Sequence, residues 1–369
     1  MNDRTHIAVL LEEAMDYYRA EELDKANVIY DRILAHDNNN YEALEWSGEI
    51  AIQQDDYVRA ADHLGRAKGA DPQEFKDFAN LGLAYYELDQ PVDAVENLQA
   101  AIEHDAEDLV AHSNLGKALY ELHNAGHIEE AIKIARQWVD EFPHIPDARH
   151  MGPAVAGMPA PDRADEAFVT ETFDDFSEDF DKKLAELNYR APEFIGALVA
   201  KVLGAAKGDL YVLDAGCGTG LAGPYLRPYA KELTGVDLSQ KMLDKAEIRG
   251  GYDALLKAEL VDFLESHHGS YDLCVAADVF CYFGELESVF KATATSLKAG
   301  GYFSFSLEVN DAQDAGYQLH ASGRYAHGES YIKDCLIKSG FAFVEINSET
   351  LRTEYAKPVH GVVVIVQKL

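Results

Sequence analysis

The hydrophobic pattern divides this chain in two. In the first 145 residues it repeats: Gly48, Gly82 and Gly116 stand 34 residues apart. Ala60 and Ala94 follow the first two glycines at one fixed distance, Ala67 and Ala101 at another, and Pro72 closes the first of these units. Extra residues around Asn124-Ala125-Gly126 shift the last unit, after which Ala131 and Pro143 fall into place, and a weaker first unit carries Ala14, Ala26 and Tyr30. Small residues let antiparallel helices approach closely, while Leu64, Tyr85 and Leu98 fill the space between repeats. The pattern predicts helical hairpins over 7–40, 41–74, 75–108 and 109–145, a domain spanning residues 1–145.

The second half reads differently. From Gly208 onward apolar β-runs alternate with helical segments, predicting strands at Leu210–Asp214, Leu233–Asp237, Ala258–Val261, Leu273–Ala277, Tyr302–Leu307, Ala342–Ile346 and Gly361–Val366. Such alternation gives an α/β fold, a doubly wound and mainly parallel seven-stranded sheet whose ligands sit beyond the carboxyl ends of its strands. The polar stretch Asn347–His360 has no helical period, so the last strand is expected to run antiparallel. Pro143-His-Ile-Pro146 ends the helical half. Met151–Pro161 is too rich in Pro and Gly for regular structure, so a linker is expected over 146–164 and the second domain over 165–369.

Composition narrows the class. The chain has 369 residues, 47% of them hydrophobic, enough for two cores, and neither a signal peptide nor a membrane-length apolar run is seen. The net charge of −33 is spread over both halves without a Lys/Arg cluster, which argues against nucleic acid and serves solubility. Cys217, Cys274, Cys281 and Cys335 lack metal-type pairing and read as reduced core residues of a cytoplasmic protein.

Candidate chemistry begins at VLDAGCGTG, Val212–Gly220, followed by the acid of TGVD, Asp237. A strand that breaks into Gly216-x-Gly218-x-Gly220 lets the backbone approach a ligand, and an acid ending the second strand can accept both hydroxyls of a ribose. An adenosine-containing cofactor is therefore expected. The glycine spacing is one residue shorter than the dinucleotide fingerprint.

The loop, with GVDLSQKML, LVDFL, YDLCVAADVFCYFG and AGGYFSFS in order, resembles class I S-adenosylmethionine (SAM) dependent methyltransferases; the 34-residue period resembles the tetratricopeptide (TPR) repeat. The usual first-helix tryptophan is replaced by Leu44, Phe78 and His112. Gly323–His327 with Glu329-Ser330-Tyr331 is similar to predicted bacterial TPR methyltransferases. The resemblance implies that Asp214 orients the loop or binds the cofactor's amino group, and that Gly216, Cys217 and Gly218 approach it. Asp237 takes the ribose or caps the following helix. Leu238 and Met242 pack on adenine, Asp262 accepts from the adenine amino group or serves as an N-cap, and Phe263 flanks the ring. Arg190 is placed to hold the cofactor carboxylate or to form a surface ion pair.

Base candidates are Asp278, Tyr282, His320 and His327, with Tyr282 equally readable as pocket wall. Phe173, Phe176, Phe180 and Leu184 form an apolar helix face opposite an acidic one, fitting a lid or ordinary packing. The long insertion Glu308–Gly328, with Tyr317, His320, Arg324, Tyr325 and His327, is expected to set substrate choice. Its two histidines lack a third ligand, so no metal is expected. These features together imply a SAM-dependent methyltransferase acting at N or O of a protein or carrier-bound acceptor recruited by the repeats. The alternatives are a small-molecule enzyme whose repeats serve oligomerisation, and a non-catalytic SAM-binding module.

Overall fold

The computed structural model describes residues 3–310, 316–354 and 356–369. It divides into two units, Met1–Ala156 and Gly157–Leu369. The first unit contains α1 (Asp3–Arg19), α2 (Leu23–His36), α3 (Tyr41–Gln53), α4 (Tyr57–Ala70), α5 (Phe78–Glu87), α6 (Pro91–His104), α7 (Leu109–Asn124), α8 (Ile128–Glu141) and α9 (Pro146–Ala156). The repeat is visible in its contacts. A Cβ on Gly48 would stand 2.6 Å from Leu64 Cγ, and one on Gly82 would stand 2.6 Å from Leu98 Cγ, so each hairpin closes on the same glycine–leucine contact. The turns repeat as well: Glu21, Asp55 and Asp89 take φ of 59°, 56° and 54°, and Gly126, displaced by the insertion, takes 97°.

The expected linker over 146–164 requires correction. Its first part is α9, buried along nearly its whole length despite Pro153 within the helix. Small residues that look like breakers make a close-packing face instead: a Cβ on Gly152 would fall 2.1 Å from Val139 Cγ2 of α8. The rest of the segment is tied to the second unit, where Tyr325 donates to the Pro161 carbonyl at 2.8 Å and Ala164 N–H donates to the Tyr282 carbonyl at 2.8 Å.

The second unit is built on a seven-stranded sheet. Its strands are β1 (Leu210–Ala215), β2 (Ala230–Asp237), β3 (Ala254–Lys257), β4 (Tyr271–Ala276), β5 (Leu297–Glu308), β8 (Phe341–Glu354) and β9 (Lys357–Lys368), while β6 (Tyr317–Leu319) and β7 (Tyr325–His327) form a separate hairpin. The order is β3-β2-β1-β4-β5-β9-β8, with the first five parallel and β9 antiparallel to both neighbours.

Alternating side chains feed two cores. Leu213 and Ala215 pack with α15 (Leu260–Ser266), α16 (Glu287–Ser296) and α17 (Glu329–Lys338), whereas Val212 packs with α12 (Ala191–Leu203) and α13 (Gly223–Leu226). The remaining helices are α10 (Glu166–Phe176), α11 (Phe180–Glu186) and α14 (Gln240–Arg249).

Two strand expectations shift. The third strand is Ala254–Lys257 rather than Ala258–Val261, because Glu259 caps α15, its side chain accepting from Asp262 N–H at 2.8 Å. The polar stretch after Ile346 is not a loop: β8 runs on to Glu354 and pairs with β9 along its length. Asp311–Ala315 of the expected substrate loop and the Phe176 side chain lie outside what is described.

Candidate functional site

A cavity of about 280 Å³ lies at the carboxyl ends of β1 to β4, where the sheet order reverses direction between β1 and β4. Its β1–β3 end is lined by Asp214, Gly216, Cys217, Gly218, Asp237, Leu238, Ala258, Glu259 and Leu260. Gly216 has φ +68°, and a Cβ there would meet Val279 Cγ2 at 2.5 Å, so this turn excludes any side chain. Asp237 holds the turn in place: its Oδ2 accepts from Gly218 N–H at 2.8 Å and its Oδ1 from Ser239 N–H at 3.0 Å. Helix α14 is capped by Ser239, which accepts from Met242 N–H at 3.1 Å, so Asp237 is not its side-chain cap. Burial raises the Asp237 carboxyl, opposed by its backbone donors. Each oxygen keeps a further lone pair for a ligand hydroxyl.

Asp214 is 1% exposed and accepts from Tyr252 Oη at 2.6 Å. Burial pushes its carboxyl up to about 7, the Tyr252 hydrogen bond opposing and Asp237 adding to the shift. A buried carboxylate so placed gains from a cationic group arriving beside it.

The other end of the cavity is ionic. Asp278, Tyr282, Arg324, Arg352 and Glu354 line it. Arg324 donates through Nη2 to Asp278 Oδ1 at 2.6 Å, through Nε to Glu308 Oε1 at 2.5 Å, and through Nη1 to Tyr282 Oη at 3.3 Å. Arg352 donates to the same Glu308 oxygen at 2.8 Å and to Glu354 Oε1 at 2.6 Å. Burial alone would raise Glu308, yet the two guanidiniums outweigh it and hold the carboxyl at about 2. Asp278 takes a left-handed φ of +61°, with its N–H held by Ser306 Oγ at 2.9 Å. Such strain in a residue with a side chain persists where surroundings over-determine it.

The α10–α11 segment closes the cavity with Phe173, Phe180 and Leu184. Its acidic side is fastened to neighbouring elements. Asp174 takes the Ser239 hydroxyl, Lys245 pairs with Glu178 at 2.7 Å, and Asp181 accepts from Thr219 Oγ1 at 2.6 Å and pairs with Arg249.

Several sequence expectations are corrected here. Arg190 pairs with Glu193 at 2.7 Å, stacks on Phe194 and does not line the cavity. Met242 is fully buried on the inner face of α14, away from the lining. Asp262 is exposed in the first turn of α15, and Phe263 is buried against His267; the early end of β3 puts Ala258, Glu259 and Leu260 at the cavity in their place. His320 is exposed outside the cavity. His327 is buried, with Nε2 against the Phe283 and Gly284 carbonyls at 2.8 and 3.2 Å, and burial lowers its ring to about 4. Asp214, Gly216, Cys217, Gly218, Asp237, Leu238, Asp278 and Tyr282 all line the cavity. Sequence reasoning passed over Glu308, Arg352 and Glu354, which carry no local motif.

A glycine-turned first strand, an acid ending the second and a terminal antiparallel hairpin make up an α/β domain of the methyltransferase fold. Residues 213–305 match the family model "Methyltransferase domain", and residues 11–75 and 80–146 match that of the tetratricopeptide repeat, so the chain carries TPR repeats followed by a methyltransferase domain.

Among curated proteins it is similar to methyltransferase-like protein 27 of Homo sapiens, 33% identical over 135 residues, 36% of this chain and 53% of the relative. It is also similar to the ubiquinone biosynthesis O-methyltransferase of Bordetella avium (strain 197N), 31% identical over 99 residues, 26% of this chain and 41% of the relative. The chain thus spans about half or less of the relatives' length. Among solved structures, magnesium protoporphyrin IX methyltransferase from Synechocystis PCC 6803 with bound SAH aligns at a TM-score of 0.43 and 18% identity, over 56% of this chain and all of that one. Among the described residues no helix is long and apolar enough to cross a membrane.

Proposed function

We propose that the cavity binds SAM and that the protein transfers its methyl group to an N or O atom of a protein or carrier-bound acceptor recruited by the TPR array. The observation that supports this most is the pairing of Asp237 with the Gly218 N–H at 2.8 Å beside the left-handed Gly216 turn, which forms a cradle too tight for a side chain. In this reading Asp237 accepts the ribose hydroxyls, Leu238 and Leu260 flank the adenine, and Glu259 faces its amino group. Asp214 faces the ammonium group of the methionine part. SAM supplies an electrophilic methyl on a sulfonium. The chain positions the acceptor and excludes water through Phe173, Phe180 and Leu184, which is what an in-line displacement requires.

The test is transfer of labelled methyl from SAM in a cell extract supplemented with the full chain, with macromolecular and small-molecule fractions separated. Label in the macromolecular fraction is expected. Label confined to small molecules would contradict recruitment by the repeats.

A further inference from the structure

We propose that the acceptor end of the cavity takes a carboxylate, held by Arg352 and Arg324, and that the product is a methyl ester; this rests on the methyl-transfer reading above.

Three observations carry the inference. First, each of the four base candidates, Asp278, Tyr282, His320 and His327, is engaged by another group or lies outside the cavity. His327 is turned onto two carbonyls, His320 lies outside, Tyr282 accepts from Arg324, and Asp278 is tied to Arg324 at 2.6 Å. Burial also holds the Tyr282 hydroxyl protonated. An amine or hydroxyl acceptor must lose a proton to complete methylation, whereas a carboxylate is ionised before it arrives.

Second, Arg352 is 3% exposed and lines the cavity, and its Nη1 has no hydrogen-bond partner among the described residues. Asp278 Oδ1, at 3.8 Å from Nη1, is beyond hydrogen-bond reach. A buried cationic donor without an acceptor is costly, and a guanidinium edge matches a carboxylate in shape and charge.

Third, the methyl donor is cationic, and an anionic acceptor cancels that charge in the transfer step itself. In the displacement a carboxylate oxygen forms a bond to the methyl carbon while the carbon–sulfur bond breaks. The electron pair stays on sulfur, an ester and a thioether result, and no proton moves. Loss of two opposite charges suits a cavity walled by Phe173, Phe180 and Leu184.

The test uses the full chain saturated with S-adenosylhomocysteine, a state checked beforehand by calorimetry. It is titrated with 3-phenylpropionate and with the isosteric amine 3-phenylpropylamine. The carboxylate is expected to bind about tenfold or more tightly than the amine. Arg352→Gln should erase that preference at unchanged S-adenosylhomocysteine affinity, and Arg352→Lys should restore part of it. If Arg352→Gln does not fold, the comparison of the two probes on the unaltered protein still decides. Equal binding of the two probes, or preference for the amine, would overturn the proposal. In turnover, label from methyl-labelled SAM is expected to leave the product as methanol under mild alkali, and alkali-stable label would overturn it too. Failure of S-adenosylhomocysteine to bind at all would instead remove the methyl-transfer reading beneath it.

Discussion

The two ends of the cavity are built by opposite means. At the β1–β3 end the chain uses short segments at strand termini: the turn after β1, Asp237 at the end of β2, and the residues that follow β3. Backbone conformation and single carboxylates shape it, and Asp237 reaches the glycine turn because parallel β1 and β2 place both at the same edge. At the other end Asp278, Glu308, Arg324, Arg352 and Glu354 come from a strained turn, the end of β5, a hairpin and the long β8, and ion pairs hold them. The first construction tolerates little change in local sequence. The second depends on partners far apart in the chain, and on every charge having its counterpart.

The sharpest way to break this contrast is Glu308→Ala, which leaves two guanidiniums sharing a lost partner. Removing one member of a buried ionic group costs about 3–5 kcal/mol, so denaturant unfolding should show a large loss of stability. Affinity of the folded fraction for S-adenosylhomocysteine should stay within about twofold, since that end is built separately. Because Glu308 is held at about 2, below its ordinary 4.5, its contribution to stability is present above 4.5 and is lost as pH falls through about 2.

Asp237→Ala is the reciprocal change. It removes the acceptor for the Gly218 and Ser239 N–H groups and for the ribose hydroxyls, and should weaken S-adenosylhomocysteine by about 2–3 kcal/mol, roughly a hundredfold, in calorimetry. An equal loss in preference between the two phenylpropyl probes would mean that the two ends are not independent.

Asp214 sharpens the comparison through pH. With its carboxyl raised to about 7, it favours the folded, ligand-free state most below its ordinary 3.8 and loses that contribution as pH rises through about 7. A cofactor ammonium beside it favours the ionised form, so binding should release protons below pH 7. S-adenosylhomocysteine affinity is expected to climb several-fold from about pH 5.5 to 7.5, and Asp214→Asn should flatten the profile. The smallest effect belongs to Arg190→Ala. Its exposed pair with Glu193 lies off the cavity, so calorimetry should find cofactor affinity unchanged.

This contrast also explains what could be read from sequence. The period of Gly48, Gly82 and Gly116 disclosed the hairpins because each glycine is a close-packing point, Gly48 and Gly82 against a leucine of the next helix and Gly116 against Met151 and Trp138. Asp214, Gly216 and Asp237 were legible because strand-then-turn geometry restricts those positions locally. Asp262 and Phe263 were misplaced because a capping Glu259 starts α15 early, a shift of a few residues that periodicity does not resolve. Pro and Gly density over Met151–Pro161 indicated a linker, yet α9 uses Gly152 for close packing. Arg352 gave no signal at all. It sits in a polar stretch beside a register shift of β8, and only pairing with β9 carries it to the cavity.

Whether this cavity is a SAM site is decided by a calorimetric titration of the full chain with S-adenosylhomocysteine. Saturable binding at a single site, competed by SAM, is the predicted result. Absence of saturable binding by the folded protein at near-neutral pH would mean that the cavity is not a SAM site.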